Sequence, residues 1–357
     1  MVGPFVYGAL PARVVFGSGT LASLPQELER LGRSRALVLT TPQQAGEGER
    51  LAGLIGRAAA GVHAGAVMHT PVEATEAALA ALAASGADCV VTLGGGSTIG
   101  LGKALALRTG IDQIAIPTTY AGSEMTPILG ETRDGVKTTQ RSLAVLPETV
   151  IYDVDLTLTL PAGLSGTSGI NAIAHAVEAL YAEDRNPVTS LMAEEAIRAL
   201  GQALPRIAAD PADQAARADA LYGAWLAGSC LGTVGMALHH KLCHTLGGSF
   251  DLPHAETHTV ILPHALAYNR SAAAEAVARA ARALGAADAP RGLFDLAGAV
   301  GARRSLRELG MAEADIDRAA DLAVRNPYWN PRPIERDAIR ALIARAWAGA
   351  PPAEAAA

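Results

Sequence analysis

The sequence predicts an α/β domain followed by an all-helical domain, α/β plus all-α in class, on three observations. Short β-branched runs alternate with Ala-rich helical runs through the first part of the chain; from about residue 157 the β-branched runs vanish and helical periodicity takes over; and the clearest strand runs straight into a glycine loop and a helix. The predicted division is 1–155, a Rossmann-like parallel-sheet domain, and 156–357, a helical domain.

In chain order, residues 35–40 read as a buried strand, 47–59 as a helix, 65–68 as a weaker strand and 75–84 as a helix. Residues 88–93, a run of Asp-Cys-Val-Val-Thr-Leu, are the clearest strand. A helix at 98–107 and short strands at 114–117 and 150–153 complete the first domain. Strands separated by helices at this spacing imply a parallel sheet with a helix on either face. The second domain reads as helices at 164–181, 188–208, 212–231 and about 235–246, with more to 348 and a disordered tail at 350–357.

Composition narrows the function. The 357 residues are 50% hydrophobic, enough for two cores. A net charge of -6 without any Lys/Arg stripe excludes nucleic acid as the expected partner but leaves room for a small acidic ligand. Met1 to Pro11 lacks the basic and apolar regions of a signal peptide, and no apolar run is long enough for a bilayer. Three scattered cysteines, Cys89, Cys230 and Cys243, cannot build a disulfide framework. The expectation is a cytoplasmic protein that meets neither nucleic acid nor membrane.

The strand at 88–93 leads into Gly94-Gly95-Gly96-Ser97, with Lys103 further along the helix. Glycines let a backbone come close to a ligand, and a helix start offers unpaired N–H groups and a positive dipole end, which suit a pyrophosphate. A second loop, Pro117-Thr118-Thr119-Tyr120-Ala121-Gly122-Ser123-Glu124, leaves the same carboxyl edge of the sheet, where open α/β sheets bind ligands. Two such loops favour a dinucleotide over a plain glycine turn.

Seven of the nine histidines fall between His175 and His264. Asn171 and His175 are four apart on one predicted helix face, as are His240 and His244, and His254 and His258 follow a proline. Imidazoles at this spacing can present two ligands to one ion. His175, His240, His244 and His254 are therefore candidate site residues, His258 is left open, and His239, His264, His63 and His69 read as ordinary core or surface histidines. Lys241, inside the cluster, discourages a cation and welcomes a carboxylate.

The glycine loop, the Pro-Thr-Thr loop, the Gly169-x-Asn171-x-x-x-His175 run, the His240-x-x-x-His244 helix and the Pro253-His254 turn, in that order, resemble the iron-containing alcohol dehydrogenase family from Val15-Phe16-Gly17 to about Asn269. The resemblance implies a Rossmann-like domain, a helical domain, an active site in the cleft between them, and a fold shared with dehydroquinate synthase and glycerol dehydrogenase. It departs from the family pattern where Asn171 and Gly100 replace aspartates and Ala255 replaces a glycine. With the run His239-His-Lys-Leu-Cys-His244 and the segment 326–333, Asn-Pro-Tyr-Trp-Asn-Pro-Arg-Pro, these departures resemble the maleylacetate reductase branch. That branch reduces the carbon–carbon double bond of maleylacetate to 3-oxoadipate with NADH or NADPH, in bacterial breakdown of resorcinol, hydroxyquinol and chlorinated aromatics, without needing iron.

The resemblance then implies site roles. Asn171, His175, His240 and His254 occupy vestigial metal-ligand positions. His175, His244 and His254 are the candidates for hydrogen bonding the substrate ketone and delivering a proton. His240, Lys241 and Arg332 are the candidates for holding the carboxylates of a dianionic substrate. Gly95, Gly96 and Ser97 would hold the pyrophosphate, Thr118, Thr119 and Lys137 would line the nucleotide site, and Thr41 stands where NAD-selective members carry an acid, so either nucleotide is expected. A homodimer is a family expectation. The competing readings are a metal-dependent alcohol dehydrogenase with iron or zinc, a lyase of the dehydroquinate synthase type, and a non-catalytic nucleotide-binding protein.

Overall fold

The computed structural model describes residues 4–354, apart from the side chains of Val136 and Lys137. Two units emerge among the described residues, Leu10–Leu160 and 161–354, the latter joined by residues 4–9.

The first unit is built on β1 (Arg13–Gly17), β2 (Ala36–Leu39), β3 (Ala59–His63), β4 (Cys89–Gly94), β5 (Asp112–Pro117) and, after a hairpin of β6 (Ile128–Arg133) and β7 (Val136–Arg141), β8 (Thr149–Asp153). Six of them pair in parallel in the order β1-β8-β5-β4-β2-β3. Helices α1 (Leu24–Arg30), α2 (Ala45–Ile55), α3 (Val72–Ser85) and α4 (Gly96–Thr109) connect the strands. One core packs Leu24, Leu28 and Leu51 on Val38, Val91 and Ile114; another packs Leu82, Leu101 and Leu105 on Leu37, Leu39 and Val90. Alternate residues of β2 and β4 thus enter different cores, the period-two signature of a sheet covered on both faces.

Two expected elements are corrected. Residues 65–68 form no strand; the strand beside β2 is β3, Ala59–His63. The helix expected at 47–59 stops at Ile55, because Gly56 adopts φ +55 and ends it, freeing the following residues to pair. The β6–β7 hairpin turns at Asp134-Gly135, both at positive φ as the tight hairpin turn requires.

The second unit is helical: α5 (Ala162–Tyr181), α6 (Pro187–Ala209), α7 (Gln214–Thr233), α8 (Leu238–Phe250), α9 (His254–Asn269), α10 (Ala274–Leu284), α11 (Ala289–Ala299), α12 (Ile316–Ala323) and α13 (Arg336–Ala348). Its starts follow local chemistry. Asn186 accepts from Val188 N and Thr189 N while Thr189 Oγ1 accepts from Asn186 N, with Pro187 as first helical residue of α6. Helix α5 is buried on nearly every side and packs on α6, α7 and α9, so side chains it points inward are fixed by neighbours all round. No single helix among the described residues is long and apolar enough to cross a membrane. All three cysteines are buried and unbridged. The tail expected to be disordered is held as far as it is described: Arg345 Nε donates to Pro351 O at 2.7 Å, Arg270 Nη2 to Ala353 O at 3.3 Å, and Pro352 is buried. Residues 355–357 lie outside the described residues.

One buried cation ties the two ligand-edge loops together. Lys103, from the middle of α4, is fully buried and donates to Ser123 O, Thr126 O, Thr126 Oγ1 and Ile128 O at 2.5–2.9 Å. Burial lowers its pKa to about 7, partly offset by Glu124. Lys103→Met would strand these acceptors and is expected to cost about 2–4 kcal/mol in urea unfolding, as for loss of a buried hydrogen-bond network. A change below about 0.5 kcal/mol, the range of ordinary surface substitutions, would show that the tether is not structural.

Candidate active site

The glycine loop is shaped by what a side chain would strike. Gly94 sits at φ +152, and a Cβ there would fall 2.5 Å from Thr98 Oγ1 and 2.9 Å from Gln44 Oε1. A Cβ at Gly95 would fall 3.0 Å from Thr119 Cγ2. A Cβ at Gly96 would meet nothing within 4 Å. Helix α4 therefore begins with an open, side-chain-free face and no side-chain cap on its first N–H groups, with Ser97 in its first turn.

The second loop is fastened to the first by Thr118 N donating to Gly94 O at 3.1 Å. Gln44 Nε2 donates to Thr118 Oγ1 at 3.3 Å, and Thr41 Oγ1 donates to Gln44 Oε1 at 3.4 Å. Thr41, Gly95, Gly96, Ser97, Thr118 and Thr119 are thus brought to one edge, joined by Gln44, a residue the sequence reading passed over. Lys137 pairs with Thr132 in the hairpin, and its side chain lies outside the described residues. The open helix start and surrounding hydroxyls fit a dinucleotide. Gly100 also has a local reason: a Cβ would stand 2.4 Å from Thr70 Oγ1.

In the helical unit six imidazoles form a continuous group, His175, His239, His240, His244, His254 and His258, with neighbouring ring centroids 4.3–6.3 Å apart. Its anchor is Glu178, fully buried on α5 and absent from the sequence reading. Its carboxylate accepts from Ala237 N, His239 N and His240 Nδ1, each at 2.7 Å, and from Tyr181 OH at 3.4 Å. Two of those donors belong to the first turn of α8, so a carboxylate from one helix caps another. Burial raises the Glu178 carboxyl to about 7, against the pull of the N–H groups that donate to it.

From Glu178 a line of hydrogen bonds runs through buried His240 and His175 to Asn171. His240 Nε2 lies 2.9 Å from His175 Nδ1, and His175 Nε2 lies 3.5 Å from Asn171 Nδ2. Asn171 Oδ1 is buried without a partner among the described residues. A second pair, His239 Nε2 and His258 Nδ1 at 2.9 Å, lies alongside, with Cys243 Sγ 3.7 Å from His239 Nε2. Burial, then the proximity of other imidazoles, holds His239 and His258 well below the usual imidazole range, and burial lowers His240 to about 3. These rings are neutral at pH 7.

The candidates separate by exposure. His175 and His240 are interior, with His239 and His258 beside them, which corrects the reading of His239 as an ordinary histidine. His244 and His254 are exposed; His244 Nδ1 lies 3.0 Å from Tyr328 OH. Lys241 is half-buried, its Nζ 5.9 Å from the centre of the same Tyr328 ring, and burial lowers its pKa. Arg332 is engaged elsewhere than expected: it lies 4.1 Å over the Tyr268 ring and donates to Tyr268 O at 3.0 Å.

The donor set does not fit a divalent cation. At Asn171 a neutral amide stands in place of a carboxylate. The facing nitrogens of His175 and His240 are occupied by each other, as are those of His239 and His258. Cys243, within 4.8 Å of the latter pair, is a buried thiol pushed well above its usual pKa and so holds its proton.

Residues 11–154 match the model of the iron-containing alcohol dehydrogenases, and residues 165–347 that of the C-terminal domain of the Fe-containing alcohol dehydrogenase family. The chain belongs to the iron-containing alcohol dehydrogenase family. Members of this family are NAD(P)-dependent oxidoreductases, which agrees with the bare start of α4. Within the iron-containing alcohol dehydrogenases, the chain is 60% identical over 349 residues to the maleylacetate reductase of Rhizobium sp. (strain MTP-10005), covering 98% of this chain and 99% of the relative. It is 59% identical over 348 residues to that of Burkholderia cepacia, covering 98% and 99%. The crystal structure of maleylacetate reductase from Agrobacterium tumefaciens superposes with a TM-score of 0.96 at 61% identity, over 98% of this chain and all of that one.

Two substitutions test the site. Gly96→Val places a side chain where no protein atom stands, so we expect at least tenfold weaker NADH binding by fluorescence titration with thermal stability nearly unchanged; equal affinity would move the nucleotide elsewhere. Glu178→Gln puts an NH2 group against donors and should cost about 1–3 kcal/mol of stability. It should also lower kcat at least tenfold at saturating substrate by releasing His240; normal kcat in the folded variant would deny Glu178 any hold on the site.

Proposed function

We propose that this chain is a maleylacetate reductase that works without a metal ion, reducing the activated double bond of maleylacetate to give 3-oxoadipate in bacterial breakdown of aromatic compounds. The observation that carries the metal-free reading is the bond between His175 and His240 beside Asn171, which joins by hydrogen bonds what a cation would otherwise hold. The full-length identity to relatives of that name carries the substrate.

Gly95, Gly96 and Ser97 would hold the pyrophosphate of NAD(P)H, which would supply a hydride for the alkene carbon β to the substrate ketone. The ketone oxygen then gains charge, and imidazole N–H groups of the histidine group stabilise it in place of a Lewis acid. Glu178 fixes the tautomers: His240 Nδ1–H faces the carboxylate and its Nε2 accepts from His175, so these two rings align the group while the N–H groups offered to the ketone oxygen belong to its other imidazoles. Proton delivery to the adjacent carbon falls to His244 or His254, the exposed imidazoles, which can be recharged from water. Lys241 holds one substrate carboxylate. With Thr41 in place of an acid, nothing at that position repels a 2′-phosphate, so both NADH and NADPH serve. The same reading makes the protein a cytoplasmic homodimer whose partner molecule is a small dianion, not nucleic acid or membrane.

Oxidation of NADH by freshly generated maleylacetate, followed by absorbance, should be fast and unchanged by a strong chelator in protein of substoichiometric metal content. Turnover lost to the chelator and restored by iron or zinc would overturn the metal-free mechanism. Inertness toward maleylacetate, with oxidation of simple alcohols instead, would overturn the substrate.

A further inference from the structure

Past His258, helix α9 enters a different environment. His264 lies six residues further on, about 9 Å along the axis. It is 3% exposed, and among the described residues neither ring nitrogen has a hydrogen-bond partner. An unsatisfied buried polar group is costly, so its retention points to something that satisfies it. Burial and the nearby Arg345 hold its pKa down to about 4, leaving a neutral ring with one donor and one acceptor.

His264 lines a cavity of about 560 Å³, within the range of small-ligand sites. Three guanidiniums from separate segments converge there: Arg270 just beyond α9, Arg332 from the segment 326–333, and Arg345 from α13. Arg332 and Arg345 are anchored by backbone carbonyls, those of Tyr268 and Pro351, which fix the groups without neutralising them. Arg270 pairs with Asp288, and its Nε is buried without a partner among the described residues. Glu354 on the lining is the other acid, so two carboxylates stand against three guanidiniums. Ala267, Ala338, Ala341 and Leu342 give it an apolar wall, with Tyr268 and Ser271 also on the lining.

We propose that this cavity is a second ligand site, for a small organic carboxylate with an apolar body. The carboxylate takes the guanidinium forks of Arg332 and Arg345 and the N–H of His264, while the body lies along the alanine and leucine wall. Nothing in the reduction of maleylacetate uses these groups, and the site lies wholly within the helical unit.

The probe is benzoate, with benzyl alcohol as its uncharged counterpart, titrated calorimetrically into the full-length protein. Saturable one-to-one binding of benzoate is expected, at least tenfold tighter than benzyl alcohol. Arg345→Met should weaken it at least tenfold with NADH-linked turnover kept, and His240→Ala should leave it unchanged. Ala341→Phe, an exposed wall position that narrows the cavity while leaving all three guanidiniums in the chain, should also weaken it and serves if Arg345→Met fails to fold. Equal affinity in wild type and both cavity variants, loss confined to His240→Ala, or no saturation by about 20 mM, weaker than the usual range for a specific small ligand, would overturn the proposal.

Discussion

The site hangs on one buried carboxylate. Glu178 is surrounded by α6, α7 and α9 through its own helix, so it cannot move toward water, and its charge is balanced by N–H groups at the start of α8 rather than by a cation. That capping bond places the first turn of α8 and with it His239, His240 and Lys241. The hydrogen bond to His240 Nδ1 then sets which ring nitrogen faces His175, and through His175 the orientation of Asn171. A buried carboxylate without these donors would be costly by several kcal/mol; here capping, tautomer choice and alignment of the imidazole group are one interaction.

Replacing a charged ligand by Asn171 changes more than affinity for a cation. An aspartate here would bring a second negative charge onto the same helix as Glu178, two turns away, with no ion to offset it. The amide removes that charge and contributes a donor to His175 and a buried acceptor without a partner among the described residues. Within the group, burial keeps His239, His240 and His258 as neutral dipoles.

Much of this was legible in the sequence, for identifiable reasons. The strand at 88–93 and its glycine loop stand out because a fully buried parallel strand is a continuous apolar run and few side chains fit between Gly94 and Thr98. The pairs Asn171/His175 and His240/His244 follow from the helical period. What was hidden depends on partners distant in sequence. Glu178 sits in an Ala- and Leu-rich run where an acid on a helix ordinarily faces water, and only α8 explains it. His239 and His258 are assigned to each other by packing, which spacing does not encode. Arg332 carries the right chemistry for a carboxylate, but packing over Tyr268 places it on the cavity beside His264 and not among the six imidazoles. The hairpin at 128–141 could have been read from Asp134-Gly135, a turn signal masked by its polar strands. Strand β3 was misplaced because its half-buried Ala-Ala-Gly-Val-His lacks a β-branched run.

The cysteines carry a consequence for handling and inhibition. Cys89 and Cys230 are pushed up to about 12 by burial, and Cys243, beside the imidazoles, is also well above its usual range. At neutral pH the folded protein presents almost no thiolate, and thiolate is the form that alkylating agents and oxidants attack. Inactivation by a thiol reagent would then run at the rate at which the chain opens. Cys243 would act as a clock for local unfolding of α8, and its slowing by bound nucleotide or substrate would measure how far each ligand holds that helix closed.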